Sequence, residues 1–196
     1  MALRPRILVL LLVAFAAVGV VPSAFARGGN YAFDGGTRAE RIQVQKALSV
    51  SAFDWSLVQR QVTIHIESGI DSSAAPGEIW LDAGLLDSGR FAWGVAQHEY
   101  AHQVDFSLLN DGDHVELARL LGVQAWCSEA PGLEHSSYGC ERFASTLAWA
   151  YWPNADNCMS PSAGGGESAG MAPAAFRSTL GRMLHLSVLH LRRPGQ

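Results

Sequence analysis

The sequence predicts an α+β domain that is rich in helices and carries a small sheet beside its longest helix. Residues 61–67 alternate between apolar and polar side chains, which is the pattern of a half-buried strand. Residues 78–82 form a second β-like run after the turn-rich stretch 72–77. Residues 88–109 follow with a helical pattern that starts at a serine cap and ends at an Asn-Asp-Gly turn. Because the second strand and this helix are neighbours in the chain, we expect the sheet to lie beside the helix.

The other periodic segments predict four more helices, each with its own boundary signal. In residues 37–48 the apolar side chains recur with a helical period, and a threonine at the start can cap the helix. Residues 115–126 and 138–152 are mostly apolar, and a proline stops the second of them. A proline also opens a final helix over residues 173–191. Between these last two helices, the Gly- and Ser-rich segment 160–170 predicts a loop.

The N-terminal segment has the features of a secretory signal peptide. Two arginines precede the apolar run 7–21, and a small-residue pattern ending at Ala26 follows. We therefore expect residues 1–26 to be removed and residues 27–196 to form a single domain. No later apolar run is long enough to cross a bilayer, so the sequence predicts a secreted or extracytoplasmic protein without a membrane span.

The charge of the predicted mature chain argues against nucleic-acid binding. The leader holds two of the 14 basic residues and none of the 18 acidic ones, so residues 27–196 carry a formal charge of −6. Nucleic-acid-binding domains present a positive surface to the phosphate backbone. We therefore expect no nucleic-acid partner.

The most informative segment is an H-E-x-x-H motif, formed by His98, Glu99 and His102 inside the long helix. At about 3.6 residues per turn, positions four apart lie above one another, so both imidazoles can converge on one tetrahedral ion. Glu99 is displaced around the helix, where its carboxylate can reach a metal-bound water without itself binding the metal. The motif therefore predicts a zinc site with two histidine ligands and Glu99 as general base.

A third zinc ligand must lie elsewhere, because catalytic zinc usually takes three protein ligands. The close-spaced continuation H-x-x-G-x-x-H is excluded, since Asp105 and Leu108 occupy its positions. Glu141 opens a largely apolar helix, where a carboxylate without a partner would be costly. It is the favoured candidate. Glu134 and His135 in the preceding loop, and Asp105, remain open as alternatives.

These residues resemble the gluzincins, zinc peptidases in which one helix carries H-E-x-x-H and the next supplies a glutamate ligand. The resemblance covers roughly residues 77–152 and implies a zincin-like domain. It also implies that the two motif histidines and Glu141 bind zinc, with Glu99 as catalytic base. Family members often carry an aspartate four residues after the glutamate ligand to orient a histidine, and this chain has Ser145 there. Asp105 is the alternative acceptor for an imidazole N–H, or else a solvated helix acid.

The resemblance also implies that the strand preceding the motif helix, residues 78–82, receives the substrate backbone as an added strand. Tyr138 and Tyr151 are candidate oxyanion donors, with aromatic packing as the alternative role. His185 and His190 lie among leucines on the final helix, where packing or solvent contact is the expected role.

Three cysteines in an exported chain predict one disulfide and one further cysteine. The sequence does not determine the pairing. Cys127 and Cys140 flank one loop, and a bridge between them would fix the entry to the second motif helix. Cys158 lies almost a full helix away from Cys140, which disfavours that alternative.

Together these observations predict a secreted zinc peptidase that hydrolyses peptide or protein substrates. The metal activates a water, and Glu99 takes its proton during attack on the carbonyl. Two rival classes remain open. One is a non-catalytic exported protein that keeps the fold and the metal, and the other is an interaction module with a fortuitous motif.

Overall fold

The computed structural model describes residues 28–127, 132–162 and 168–185. The predicted α+β class is confirmed, because this part of the chain contains six helices and one four-stranded sheet. The strands are β1 (Tyr31–Gly35), β2 (Val62–Glu67), β3 (Ser73–Ala75) and β4 (Glu78–Asp82). The helices are α1 (Arg38–Val50), α2 (Ala83–Leu86), α3 (Phe91–Leu108), α4 (Asp111–Leu121), α5 (Gly139–Tyr151) and α6 (Pro173–Met183). Short 3₁₀ turns occur at Trp55–Leu57 and His135–Ser137.

The sheet has the strand order β1-β2-β4-β3, with the first three strands parallel and β3 antiparallel to β4. In β2 the alternation predicted from the sequence is confirmed, because Val62, Ile64 and Ile66 are all buried. Strand β4 pairs with a neighbour on each side. The expectation that β4 receives a substrate strand is therefore wrong, since its hydrogen-bonding edges are already used within the sheet.

Helix α1 connects the parallel strands β1 and β2, as parallel pairing requires a crossover. Its predicted threonine cap is confirmed. The Thr37 hydroxyl accepts a bond from the Glu40 backbone N–H, and the Glu40 carboxylate accepts one from the Thr37 N–H at 2.7 Å. This capping box fixes the direction in which α1 leaves the end of β1.

Helix α3 is the central element, since every residue from Ala96 to Asp105 is buried. It packs against α1, α5 and the sheet. A helix enclosed on all sides carries no amphipathic stripe. The predicted cap at Ser88 is wrong. Short helix α2 and its following turn occupy that region, Gly89 takes a φ of +76°, and α3 begins only after Arg90.

The later helices keep their predicted order with shifted boundaries. Helix α4 starts at Asp111 instead of 115 because the Asn110 side chain caps it by accepting from the Gly112 and Asp113 N–H groups. It ends at Leu121, and the next residue, Gly122, caps it with a φ of +70°. Helix α6 ends at Met183, earlier than the predicted 191.

Some expectations fall outside the residues that the structure describes. The predicted signal peptide and His190 are among them. Within the described residues, no helix combines the length and the apolar character needed to cross a membrane.

Candidate metal centre

Helix α3 presents the two motif histidines on one face, one turn apart. The Nε2 atoms of His98 and His102 lie 3.3 Å from each other, with ring centroids 4.9 Å apart. Their side chains are only 3% and 7% exposed. The sequence expectation that the two imidazoles converge is therefore met by the helix geometry.

Helix α5 brings Glu141 to the same point from the opposite side. Its Oε2 lies 3.0 Å from His98 Nε2 and 3.3 Å from His102 Nε2. A tetrahedral ion with bonds of about 2.0–2.1 Å separates its ligand atoms by about 3.3 Å. The triangle of two nitrogens and one oxygen has sides close to that length. These three residues therefore fit a metal ion of this size.

Burial and the two histidines act in opposite directions on the Glu141 carboxyl. Burial raises its pKa, but the hydrogen bonds and positive charge supplied by His102 and His98 outweigh it, so the pKa lies well below its usual range. The carboxylate is therefore ionised at neutral pH, which is the form that binds a cation.

Glu99 belongs to the same buried group. It is 5% exposed, and its carboxylate lies with His98 and His102 in a cluster whose ligand atoms are all within 4.8 Å of one another. Glu141 Oε2 lies 3.0 Å and 3.3 Å from the two imidazole nitrogens. Two carboxylates, Glu99 and Glu141, therefore lie next to the two histidines.

The group that orients His98 is Ser145, one turn after Glu141 on α5. Its Oγ lies 3.1 Å from His98 Nδ1, and both side chains are buried. The serine therefore contacts the ring nitrogen that faces away from Glu141. The group that contacts the imidazole on this side is thus a hydroxyl, which carries no charge.

Asp105 does not orient a motif histidine in the manner anticipated, and it is not a solvated acid either. It is 4% exposed, its Oδ1 lies 2.7 Å from His114 Nε2, and its Oδ2 accepts from Trp126 Nε1 at 3.0 Å. Burial raises the pKa of Asp105, and His114 and Trp126 oppose that shift. Neither partner could be predicted from the sequence, because the contacts bring residues of α4 and of the segment after it to Asp105 on α3.

The loop before α5 contributes His135, which was one of the open alternatives. Its Nε2 lies 3.3 Å from Glu141 Oε2, the oxygen that also contacts His98 and His102. The side chain is 70% exposed. Glu134, the neighbouring alternative, is exposed and lies outside the potential metal-ligand groups among the described residues.

A disulfide joins Cys127 to Cys140 and thereby fixes the start of α5 next to Glu141, with the two Cα atoms 5.7 Å apart. The expectation of one disulfide is met, the pairing that the sequence left open is Cys127 with Cys140, and Cys158 lies outside it. Because their sulfurs are bonded to each other, Cys127 and Cys140 are not thiolate ligands for a metal near Glu141.

Gln103, directly after the second motif histidine, was not anticipated as a structural contact. It is 1% exposed, and its amide accepts from Gly77 N–H at 2.8 Å while donating to the carbonyls of Ala75 and Glu78. This amide therefore attaches the β3–β4 hairpin to the motif helix.

The structure describes two of the remaining candidates, Tyr151 and His185, in other surroundings. Tyr151 packs edge-on against Phe53 at a centroid distance of 5.0 Å, and burial raises its pKa to about 12, with Arg177 lowering it slightly. Packing is thus its structural role. His185 follows the end of α6 with a φ of +51° and is exposed.

Comparison of the chain with protein-family models, curated proteins and solved structures finds no match. The chemistry of the site therefore rests on its own geometry. His98, Glu99 and His102 form a buried group that could hold a metal ion, and Glu141 lies next to it.

Proposed function

We propose that this protein is a secreted zinc-dependent peptidase with a zincin-like domain. The observation that carries the proposal is the convergence of His98 Nε2, His102 Nε2 and Glu141 Oε2 within 3.0–3.3 Å, with the Glu99 carboxylate beside them. Two imidazoles and one carboxylate form a donor set typical of catalytic zinc, which leaves a fourth position for water or substrate.

The residues of the site would have the following roles. His98, His102 and Glu141 would hold the ion, and the ion would supply Lewis acidity, which lowers the pKa of a bound water to about 7 and polarises a carbonyl. The Glu99 carboxylate accepts the proton of the attacking water and returns it to the leaving amine nitrogen. Ser145 holds the His98 ring through Nδ1, which keeps Nε2 directed at the centre.

The disulfide supports the extracytoplasmic part of the proposal. Cys127 and Cys140 are bonded, and stable disulfides are rare in reducing compartments. The predicted leader gives a route to export. An oxidising location and a hydrolytic centre are compatible with cleavage of extracellular peptides or proteins.

The end strand of the sheet that contacts the motif helix is β3. Gln103 ties the last residue of β3, Ala75, to that helix. We propose that an extended peptide substrate pairs with β3 and not with β4. Backbone pairing of this kind binds a substrate without demanding a particular side-chain sequence.

A non-catalytic zinc protein is the second candidate, and the position of His135 favours it. Its Nε2 lies 3.3 Å from Glu141 Oε2, so a fourth protein donor is close to the centre. Zinc sites with four protein ligands are structural and hold no activated water. Peptide cleavage by the zinc-loaded protein distinguishes the two candidates.

Mutation of Glu141, the proposed third zinc ligand, tests the metal centre. We expect about one zinc per wild-type molecule, because three buried donors complete a site. Glu141→Ala should lose zinc affinity and peptidase activity together, whereas the matched loop variant Glu134→Ala should keep both. Zinc titration on folded protein and digestion of a peptide mixture, analysed by mass spectrometry, measure the two effects. Loss of zinc from Glu134→Ala but not from Glu141→Ala would overturn the ligand assignment.

A further inference from the structure

We propose that His135 is a fourth protein ligand of the resting metal centre and that an incoming peptide substrate displaces it, an inference that rests on the proposed function. The starting observation is that one oxygen, Glu141 Oε2, is shared by three imidazole nitrogens. It lies 3.0 Å from His98 Nε2, 3.3 Å from His102 Nε2 and 3.3 Å from His135 Nε2.

The distance from His135 to Glu141 fits two ligands of one ion. Two ligands of one tetrahedral zinc lie about 3.3 Å apart, which matches the separation of His135 Nε2 from Glu141 Oε2. The same oxygen lies 3.0 Å and 3.3 Å from the two motif imidazoles, so His135 approaches the centre through the carboxylate that all three imidazoles share.

The position of His135 also allows it to leave the metal. His98 and His102 belong to a buried helix, and their side chains are 3% and 7% exposed. The His135 side chain is 70% exposed and stands on a 3₁₀ turn of three residues. A ligand on a short exposed turn can swing into solvent with little loss of packed surface, whereas a ligand on α3 cannot.

The disulfide limits how far His135 can move when it leaves. Cys127 and Cys140 close a loop with a sequence separation of 13, and His135 lies within that loop. The restraint keeps the imidazole at a high local concentration near the centre, so it rebinds after product leaves. The arrangement would protect the ion between turnovers and delay the formation of the activated water until a peptide is present.

Counting the imidazoles around bound zinc tests the proposal without relying on activity. X-ray absorption of the zinc-loaded wild type should show three imidazoles, and His135→Ala should show two. The matched control is Glu134→Ala, the exposed residue immediately before it, which should retain three. His135→Ala should also bind zinc at least about tenfold more weakly. Its cleavage rate per bound zinc should equal or exceed that of the wild type.

Two results would overturn the inference. Two imidazoles in the wild type would remove His135 from the metal while leaving the proposed peptidase function intact. A fall in cleavage per bound zinc in His135→Ala would show that the residue takes part in the chemistry and is not a displaceable ligand. Failure of the peptidase function itself has a different signature, namely a centre with the expected imidazole count and no cleavage by any zinc-loaded form.

Discussion

Removal of the Ser145 hydroxyl should weaken zinc binding without unfolding the protein. The serine Oγ lies 3.1 Å from His98 Nδ1 in a site where Ser145 is 0% exposed. When His98 binds zinc through Nε2, the ring proton is on Nδ1, and Ser145 is the acceptor that satisfies it. Ser145→Ala removes this acceptor from the buried ring nitrogen.

The magnitude follows from the cost of losing a buried hydrogen bond. Removing one partner of such a bond costs about 1–3 kcal/mol, and each 1.4 kcal/mol is a factor of about ten in an equilibrium constant. The zinc dissociation constant should therefore rise by about 5- to 150-fold, a range that includes the roughly 10- to 100-fold effect usual for groups that orient a metal-bound histidine. The metal-free protein avoids the cost, because its imidazole can move the proton to the other nitrogen.

Competition with a zinc-chelating dye at neutral pH measures this change. The matched control is Ser51→Ala, which removes another buried hydroxyl whose Oγ accepts from Phe53 N–H at 3.2 Å, on a different element. We expect Ser51→Ala to bind zinc like the wild type. Wild-type affinity in Ser145→Ala, or an equal loss in Ser51→Ala, would refute the role assigned to Ser145.

Two further predictions concern stability. The lowered pKa of Glu141 means that its ionised form stabilises the metal-free protein above the unfolded-state pKa of about 4.3 and that this contribution is lost as the pH falls below it. Glu141→Gln should therefore flatten the decline in unfolding free energy between about pH 5 and pH 2 relative to the exposed control Glu134→Gln, and identical curves would contradict the assignment. Gln103→Ala leaves the buried Gly77 N–H without its acceptor and should lower the unfolding free energy by about 1–3 kcal/mol. A urea titration with an unchanged midpoint would exclude this connection between α3 and the hairpin.

Local signals predicted the elements whose boundaries are set within their own sequence. The Thr37 cap, the alternation in β2 and the helical spacing of His98 and His102 all appear in the structure. Strand β3 was missed because it has only three residues inside a turn-rich stretch. Strand β1 was missed because its partner, β2, lies beyond a whole helix, and parallel pairing leaves no local turn signal.

In the candidate site, too, the features set by local sequence were predictable, and the contacts between residues far apart in the sequence were not. The H-E-x-x-H spacing predicts two converging imidazoles from helix geometry alone. The partners Glu141, Ser145 and His135 depend on how α5 crosses α3, with Glu141 lying 43 residues from His98. The sequence left three roles open for Asp105, namely third zinc ligand, acceptor for an imidazole N–H and solvated acid. Its partners in the structure, His114 and Trp126, come from a different helix and loop.

The most direct test of the central claim is peptide cleavage by zinc-loaded Glu99→Gln beside the zinc-loaded wild type. Glu99 lies next to the two histidines but is assigned to proton transfer, not to metal binding. The account predicts that both proteins hold about one zinc per molecule and that only the wild type cleaves a peptide mixture. Cleavage by Glu99→Gln at the wild-type rate would contradict the assignment of Glu99 as the general base.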